Sequence, residues 1–422
     1  MTSEIKQRIE QIRRGEVPER YVKTALGLAP ANWKRYTFGD IYTERKEPGD
    51  ENLPLLMVSI HSGVSDGEVD AAELPKQVKR IEDKSQYKKA VSGDLVFNMM
   101  RAWQGAIGTV RTTGMVSPAY IVAEPNDKAY PLFMDYYSRT PQMINQIDRQ
   151  SYGVTDFRKR LYWDSFAPIS CTLPPIAEQR KIAAILTTQD RVIELKEKRL
   201  AEKQRQKKYL MQQLLTGKER LPGFSGEWKN IKLCEVLSER KEKNIEQNLR
   251  ICSVAVQKGV IDQIEHLGRS YAASDTSNYS VAHYGDIIYT KSPTGDFLYG
   301  IVKQNLLQET VAVSPLYGVF TPMTFGLGYF LHTYFQSAIC AQNYLLPIVQ
   351  KGAKNTISIT NDTFISSKLY LPLDVEEQKA IADTFIAADR EIDLLRQDIE
   401  QEKQKKKALM QLLLTGIARV KT

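Results

Sequence analysis

Two seven-residue stretches carry side chains suited to reading another molecule. Asn98-Met99-Met100-Arg101-Ala102-Trp103-Gln104 and Thr290-Lys291-Ser292-Pro293-Thr294-Gly295-Asp296 each follow a Gly-Asp pair (Gly93-Asp94, Gly285-Asp286) and a brief apolar run (Leu95-Val96-Phe97, Ile287-Ile288-Tyr289). A short apolar run after such a turn suits a buried strand. The framework is thus common to both places, while the residues that follow it differ. Arginine and lysine can pair with guanine, and glutamine or asparagine with adenine. Arg101 and Gln104 are therefore candidates for contacts with base edges, as are Lys291 and Thr294. Taken alone, without a further repeat in the chain, the two stretches are better explained by loop divergence after an old duplication.

Candidates for phosphate contact lie nearby. Arg45 and Lys46 sit in a Glu-Arg-Lys triplet that returns with Arg240 and Lys241. The basic, hydroxyl-rich stretch 149–160 contributes Arg158 and Lys159, and its counterpart 350–356 contributes Lys351 and Lys354. The stretch 196–208 holds seven Lys/Arg against Glu197 and Glu202, which suits either a phosphate backbone or a solvated helix face. A net charge of +8 permits an anionic partner without demanding one.

Other chemistry is missing. The chain has no G-x-x-x-x-G-K-[ST] loop, and Leu173-Pro174-Pro175-Ile176 lacks the amide or acid of an amino-methyltransferase tetrapeptide. Cys171, Cys234, Cys252 and Cys340 are isolated and there are four histidines, so no metal site is expected. No Ser/His/Asp or Cys/His set stands out, hence no catalytic residue is assigned. At 422 residues, 42% hydrophobic and 26% charged, the composition is that of two or three soluble domains, without a membrane span.

The elements that must position these loops are announced by a repeat. Glu178 to Gly217 and Glu377 to Gly416 align without a gap at an offset of 199, with 17 identities in 40 positions. Such self-similarity dictates architecture. Each copy follows a Leu-Pro pair, runs without proline or glycine, and stops at Thr-Gly, which predicts a helix of roughly 60 Å. Asp374 followed by Glu377 has capping-box spacing. A rod that long needs a partner. Ile381, Phe385, Ile392, Leu395 and Ile399 step by fours and threes or their sum, the seam of a coiled coil. Ile182, Leu186, Ile193 and Leu200 continue the pattern in the first copy, with Gln189 and Lys196 interrupting it. The expected fold class is α+β: two mixed domains separated by two long helices packed as an antiparallel coiled coil, an internal repeat with pseudo-twofold character. The expected divisions are a helical segment at 1–20, domains at 21–172 and 218–370, and the long-helix regions at 173–217 and 371–422. Leu132 to Tyr137 and Tyr329 to Phe335 are expected to be helical, as is Glu4 to Arg14.

With these residues in place, the chain resembles the specificity (S) subunit of type I restriction–modification enzymes. The likeness is carried by Leu173-Pro174-Pro175-Ile176-Ala177-Glu178-Gln179 with Ile182-Ala183, by Leu371-Pro372 with Glu377-Gln378 and Ile381-Ala382, and by the closing Leu-Leu-Thr-Gly runs. It covers essentially the whole chain in the order domain, helix, domain, helix. The resemblance implies two target recognition domains, each reading half of a split, asymmetric double-stranded DNA site, with the helix pair as a ruler. It implies a pair of methyltransferase (M) subunits that dock around the helices, bring S-adenosylmethionine and methylate adenine. Restriction (R) subunits would add ATP- and Mg-dependent cleavage. On that footing the chain is a cytoplasmic, non-catalytic component of a bacterial or archaeal defence system.

Overall fold

The structure, a computed structural model, describes residues 3–24, 27–50, 52–65, 86–153, 159–269, 272–351 and 357–420. It divides into two compact units, Met1–Leu195 with Ile399–Thr422, and Lys196–Asp398. The two long helices are Ile176–Leu214 and Val375–Leu413, 39 residues each. Each is divided at the border, so every unit holds a part of both.

Both units contain the same four-stranded antiparallel sheet. In the first, the order is Tyr42–Glu44, Tyr120–Pro125, Leu95–Asn98, Ile107–Thr109. In the second it is Leu237–Glu239, Gly318–Pro322, Ile287–Tyr289, Val302–Gln304. The apolar runs after the Gly-Asp turns are the third strands, and Leu95, Val96, Phe97, Ile287, Ile288 and Tyr289 are buried. A two-stranded ribbon leads into each long helix: Lys34–Thr37 with Ser170–Leu173, and Lys229–Lys232 with Lys368–Leu371. The second unit adds a sheet in which Arg250–Ala255 runs parallel to Val311–Val313, so α+β describes the whole.

Asp374 caps the second long helix as its spacing predicts, accepting from the Glu376 and Glu377 amides. Glu377 does not return the bond as a capping box would; its carboxylate takes Arg220 and Trp228 instead. Gly217 and Gly416 take positive φ at the far ends, where a side chain would be strained. The helix Ser3–Arg13 lies where a helix is expected. Pro131–Tyr137 begins one residue earlier than the pattern suggests, and Phe325–Tyr334 begins four residues earlier. Its opening glycines conceal that start, yet Thr324 caps it through Leu327 N–H.

Within each unit the two long helices lie antiparallel. In the first unit Gln189 meets Glu402, and Asp190 meets Lys406. In the second, Lys196 meets Asp398, Lys203 meets Glu391, and Lys207 meets Asp389. From Glu178 with Arg419 to Asp190 with Lys406 in the first unit, and from Lys196 with Asp398 to Lys207 with Asp389 in the second, numbers that rise on one side fall on the other. Ile182, Leu186, Ile193, Ile381, Phe385, Ile392, Leu395 and Ile399 are all buried, and Leu200 is half-buried. The interruption at Gln189 is itself part of the packing: its buried amide donates to the Glu402 carboxylate at 2.6 Å.

Glycine allows one domain helix to lie directly on a long helix. A β-carbon at Gly326 would stand 2.9 Å from the Gln378 carbonyl carbon and the Lys379 nitrogen, backbone atoms that cannot swing aside. Gly326→Ala is therefore expected to destabilise the protein by about 1–3 kcal/mol, read from the midpoint of urea unfolding.

The same unit buries two bases, Lys303 and His332. Burial lowers the Lys303 ammonium to about 8, and burial together with the Lys303 and Lys207 charges holds His332 well below its usual 6.5. Both groups bind protons more tightly in the unfolded chain, so folding loses where only that chain is protonated. Stability should rise from pH 8 to about 10.5 through Lys303, and fall as pH drops below about 6.5 through His332. Unfolding midpoints across pH for Lys303→Met should lack the alkaline rise and keep the acid loss.

Candidate nucleic-acid interface

In the first unit the strand Leu95–Asn98 delivers the chain into a tight turn. The Asn98 side chain accepts from Met100 N–H at 2.9 Å, and its carbonyl accepts from Arg101 N–H at 3.1 Å. A short 3-10 helix, Ala102–Gln104, follows, and Gly105 closes it at φ 106°. Ala102 is buried and anchors the turn, while Arg101 and Gln104 are exposed on it. Arg101 makes no ion pair among the described residues. Trp103 folds back and donates its indole N–H to the Met100 carbonyl at 3.0 Å. A second segment lies against this turn, for Leu161 N–H donates to the Met99 carbonyl at 2.9 Å. Tyr152 and Tyr162, both exposed, lie beside each other with their rings tilted by 34° and centroids 5.8 Å apart.

The corresponding loop of the second unit has a different form. Lys291 takes φ 59°, a left-handed conformation rare for a side-chain-bearing residue. It can do so because Gly300 leaves room, a β-carbon there standing 2.8 Å from the Lys291 nitrogen. Lys291 is half-buried, and this burial lowers its ammonium pKa. Thr294 is exposed and exchanges two 3.0 Å backbone hydrogen bonds with Phe297.

The Glu-Arg-Lys triplets separate by direction. Side chains alternate along an extended strand, so one basic residue points in and the next out. Arg45 points in, and its guanidinium takes Asp94 at 2.7 and 3.2 Å with Glu124 at 3.2 Å. Arg240 does the same with Asp286 at 2.6 and 3.2 Å, joined by Thr321. Hydrogen bonding to these carboxylates raises both guanidinium pKa values. The expectation of phosphate contacts at Arg45 and Arg240 therefore gives way to a structural assignment: both lock the Gly-Asp turn. Lys46 and Lys241 point out and are exposed, Lys46 with Glu44 3.2 Å away. Lys159 binds Asp148 at 2.8 Å and covers the Trp103 ring at 5.0 Å, which also departs from a phosphate contact. Arg158 and Lys354 lie outside the described residues, and only the backbone of Lys351 is described, in the strand Gln350–Lys351. In the basic stretch of the first long helix, Lys196, Arg199, Lys203 and Lys207 meet acids of the second.

Residues 226–404 match the family model described as type I restriction modification DNA specificity domain. The specificity subunit of the type I restriction enzyme MjaVIII of Methanocaldococcus jannaschii is 23% identical, over 80% of this chain and 83% of its own. The putative MjaX specificity subunit of the same organism is 22% identical over 96% and 98%. A crystal structure of the type I system S subunit from M. genitalium shares the fold at TM-score 0.55 and 11% identity, covering 90% of this chain and 96% of that one. Along most of its length the chain is thus similar to type I specificity subunits, and its second half matches their DNA specificity domain.

Arg101, Gln104 and Thr294 are exposed and have side chains able to pair with base edges. Among the described residues, no three metal-ligating side chains come together and no helix is long and apolar enough to cross a membrane. Sequence reading missed the residues that brace the loops. Asp94 and Asp286 appear in it only as turn formers, although each recurs beside an equally recurrent arginine. Removing Asp94 leaves a largely buried guanidinium short of its main partner. Asp94→Ala should cost about 3 kcal/mol or more in chemical unfolding, and Glu47→Gln, at an exposed partner of Arg45, should cost far less.

Proposed function

We propose that this chain is the specificity subunit of a type I restriction–modification system and reads a bipartite, asymmetric DNA site. Residues 21–172 recognise one half and 218–370 the other, and the paired helices set the gap. The observation that carries this reading is one scaffold used twice with different loops: the same strand order and Arg–Asp lock precede Met99–Gln104 in one place and Lys291–Asp296 in the other. Base-edge contacts are assigned to Arg101, Gln104, Lys291 and Thr294, with Lys46 and Lys241 on phosphates. A modular reader needs this division, because phosphate contacts fix position while a few side chains at base edges choose sequence.

The chemistry belongs to partners. Methyltransferase subunits, two per chain, dock about the helices, bring S-adenosylmethionine and take the target adenine out of the stack. Restriction subunits bring ATP and magnesium. The chain works in the cytoplasm and catalyses nothing itself. Support for a ruler comes from the ladder of cross-helix ion pairs, which fixes the register of each helix against the other.

The test lengthens both helices together. Seven residues inserted after Leu195 and seven after Asp398 add about 10 Å, or about three base pairs. Mapping methylated adenines in cells should then show a gap longer by about three with both half-sequences unchanged. Exchanging 21–172 for a relative's domain should alter one half only. An unchanged gap, or alteration of both halves, would overturn the proposal, as would methyl transfer by the purified chain alone.

A further inference from the structure

The first domain's turn is held by more than its own backbone. Lys159 spans two elements: its ammonium binds the Asp148 carboxylate at 2.8 Å, in the last turn of the helix Pro141–Gln150, and lies 5.0 Å from the centroid of the Trp103 ring. Trp103 in turn is bonded to the Met100 carbonyl, on the opposite side of Arg101 in sequence. Two residues beyond Lys159, the Leu161 amide holds the Met99 carbonyl. The turn is therefore gripped at its beginning by Leu161 and at its end by Lys159 through the indole. Arg101 and Gln104 lie between or beside these grips and remain exposed. The Lys159 side chain itself is 23% exposed, and much of its charge is answered by Asp148.

We propose that Lys159 is a positioning residue for base recognition. It fixes the Trp103 ring, and thereby the directions of Arg101 and Gln104, without touching DNA itself. The inference rests on the reading of Met99–Gln104 as the loop that meets base edges. A cation over an indole face is attracted by the ring's quadrupole, most strongly when water is partly excluded. A base-reading side chain needs its geometry set in this way, because a paired hydrogen bond to a base edge tolerates little displacement. The role differs from phosphate binding in a measurable respect. Loss of a phosphate contact weakens all sequences alike and lowers the slope of log affinity against log salt by about one. Loss of a positioning residue leaves that slope and relaxes choice at one half-site.

The experiment uses the full chain assembled with its methyltransferase subunits, and a DNA library with single mismatches in each half-site. For Lys159→Gln, discrimination in the half read by the first domain is expected to fall about tenfold, a loss comparable to one good base contact. The other half-site and the salt slope should stay as they were, and Lys159→Arg should restore discrimination. Asp148→Asn, which frees the ammonium from its anchor, should shift the same half-site and gives a second route if Lys159→Gln fails to fold. A lower salt slope with discrimination intact would overturn the proposal in favour of a phosphate contact. Unchanged discrimination in both variants would overturn it as well. Arg101→Ala and Gln104→Ala separate the two levels: if neither alters discrimination, the loop is not the reader and both readings fall. If they alter it and Lys159→Gln does not, only the positioning role falls.

Discussion

An aspartate on each long helix holds a lysine of the other helix and, at the same time, a tyrosine hydroxyl of the adjoining domain. In the first unit Asp190 takes Lys406 and Tyr136; in the second Asp389 takes Lys207 and Tyr329. The register of helix on helix and the seating of domain on helix are thereby fixed at one point. Hydrophobic packing alone would not do this, since the apolar stripe could slide by a turn at modest cost. A polar group in such a seam specifies register. Glu178 and Glu377 repeat the principle further out, each taking an arginine from the segment that follows the opposite helix, Arg419 and Arg220. These contacts are reciprocal: the aspartate and the glutamate of each copy take the same kinds of partner from the other.

That reciprocity explains which parts were legible beforehand. The repeat could be read because Glu-Gln, Asp-Arg and Leu-Leu-Thr-Gly are each used twice for the same purpose. Gln179 and Gln378, for example, both donate to the carbonyl of the proline before their helix. The seam could be read because burial imposes its period, and eight of its nine predicted residues are buried. Less accessible were pairings between residues far apart in sequence. Arg45 and Arg240 looked like surface cations, and only the sheet reveals that Asp94 and Asp286 lie beside them. The same holds for the basic stretch at 196–208, whose partners sit nearly two hundred residues later. Charge counts report how many ions there are and not where their partners stand. Lys159 shows the same: its neighbour Trp103 is distant in the chain and adjacent in space.

Recognition, on this view, rests on small differences held by a rigid frame. Strand order, the buried third strand and the Arg–Asp lock are the same in both units, and the turn beyond them changes from a short helix closed by Gly105 to a loop that forces Lys291 into a left-handed conformation. A reader of this kind, as proposed above, leaves the chemistry to its partners. The demand on the fold is accordingly geometric, and the interactions described here are chiefly those that restrict movement.

The Arg–Asp lock has a consequence for how such a protein can change. Because each guanidinium is satisfied before the variable turn begins, the sheet closes its own hydrogen bonds whatever the next seven residues happen to be. Folding and ligand preference are then decided by separate sets of amino acids. A lineage can vary the exposed turn positions without first risking collapse of the framework, and a laboratory library confined to 100, 101, 104 and 294 should keep most of its members folded.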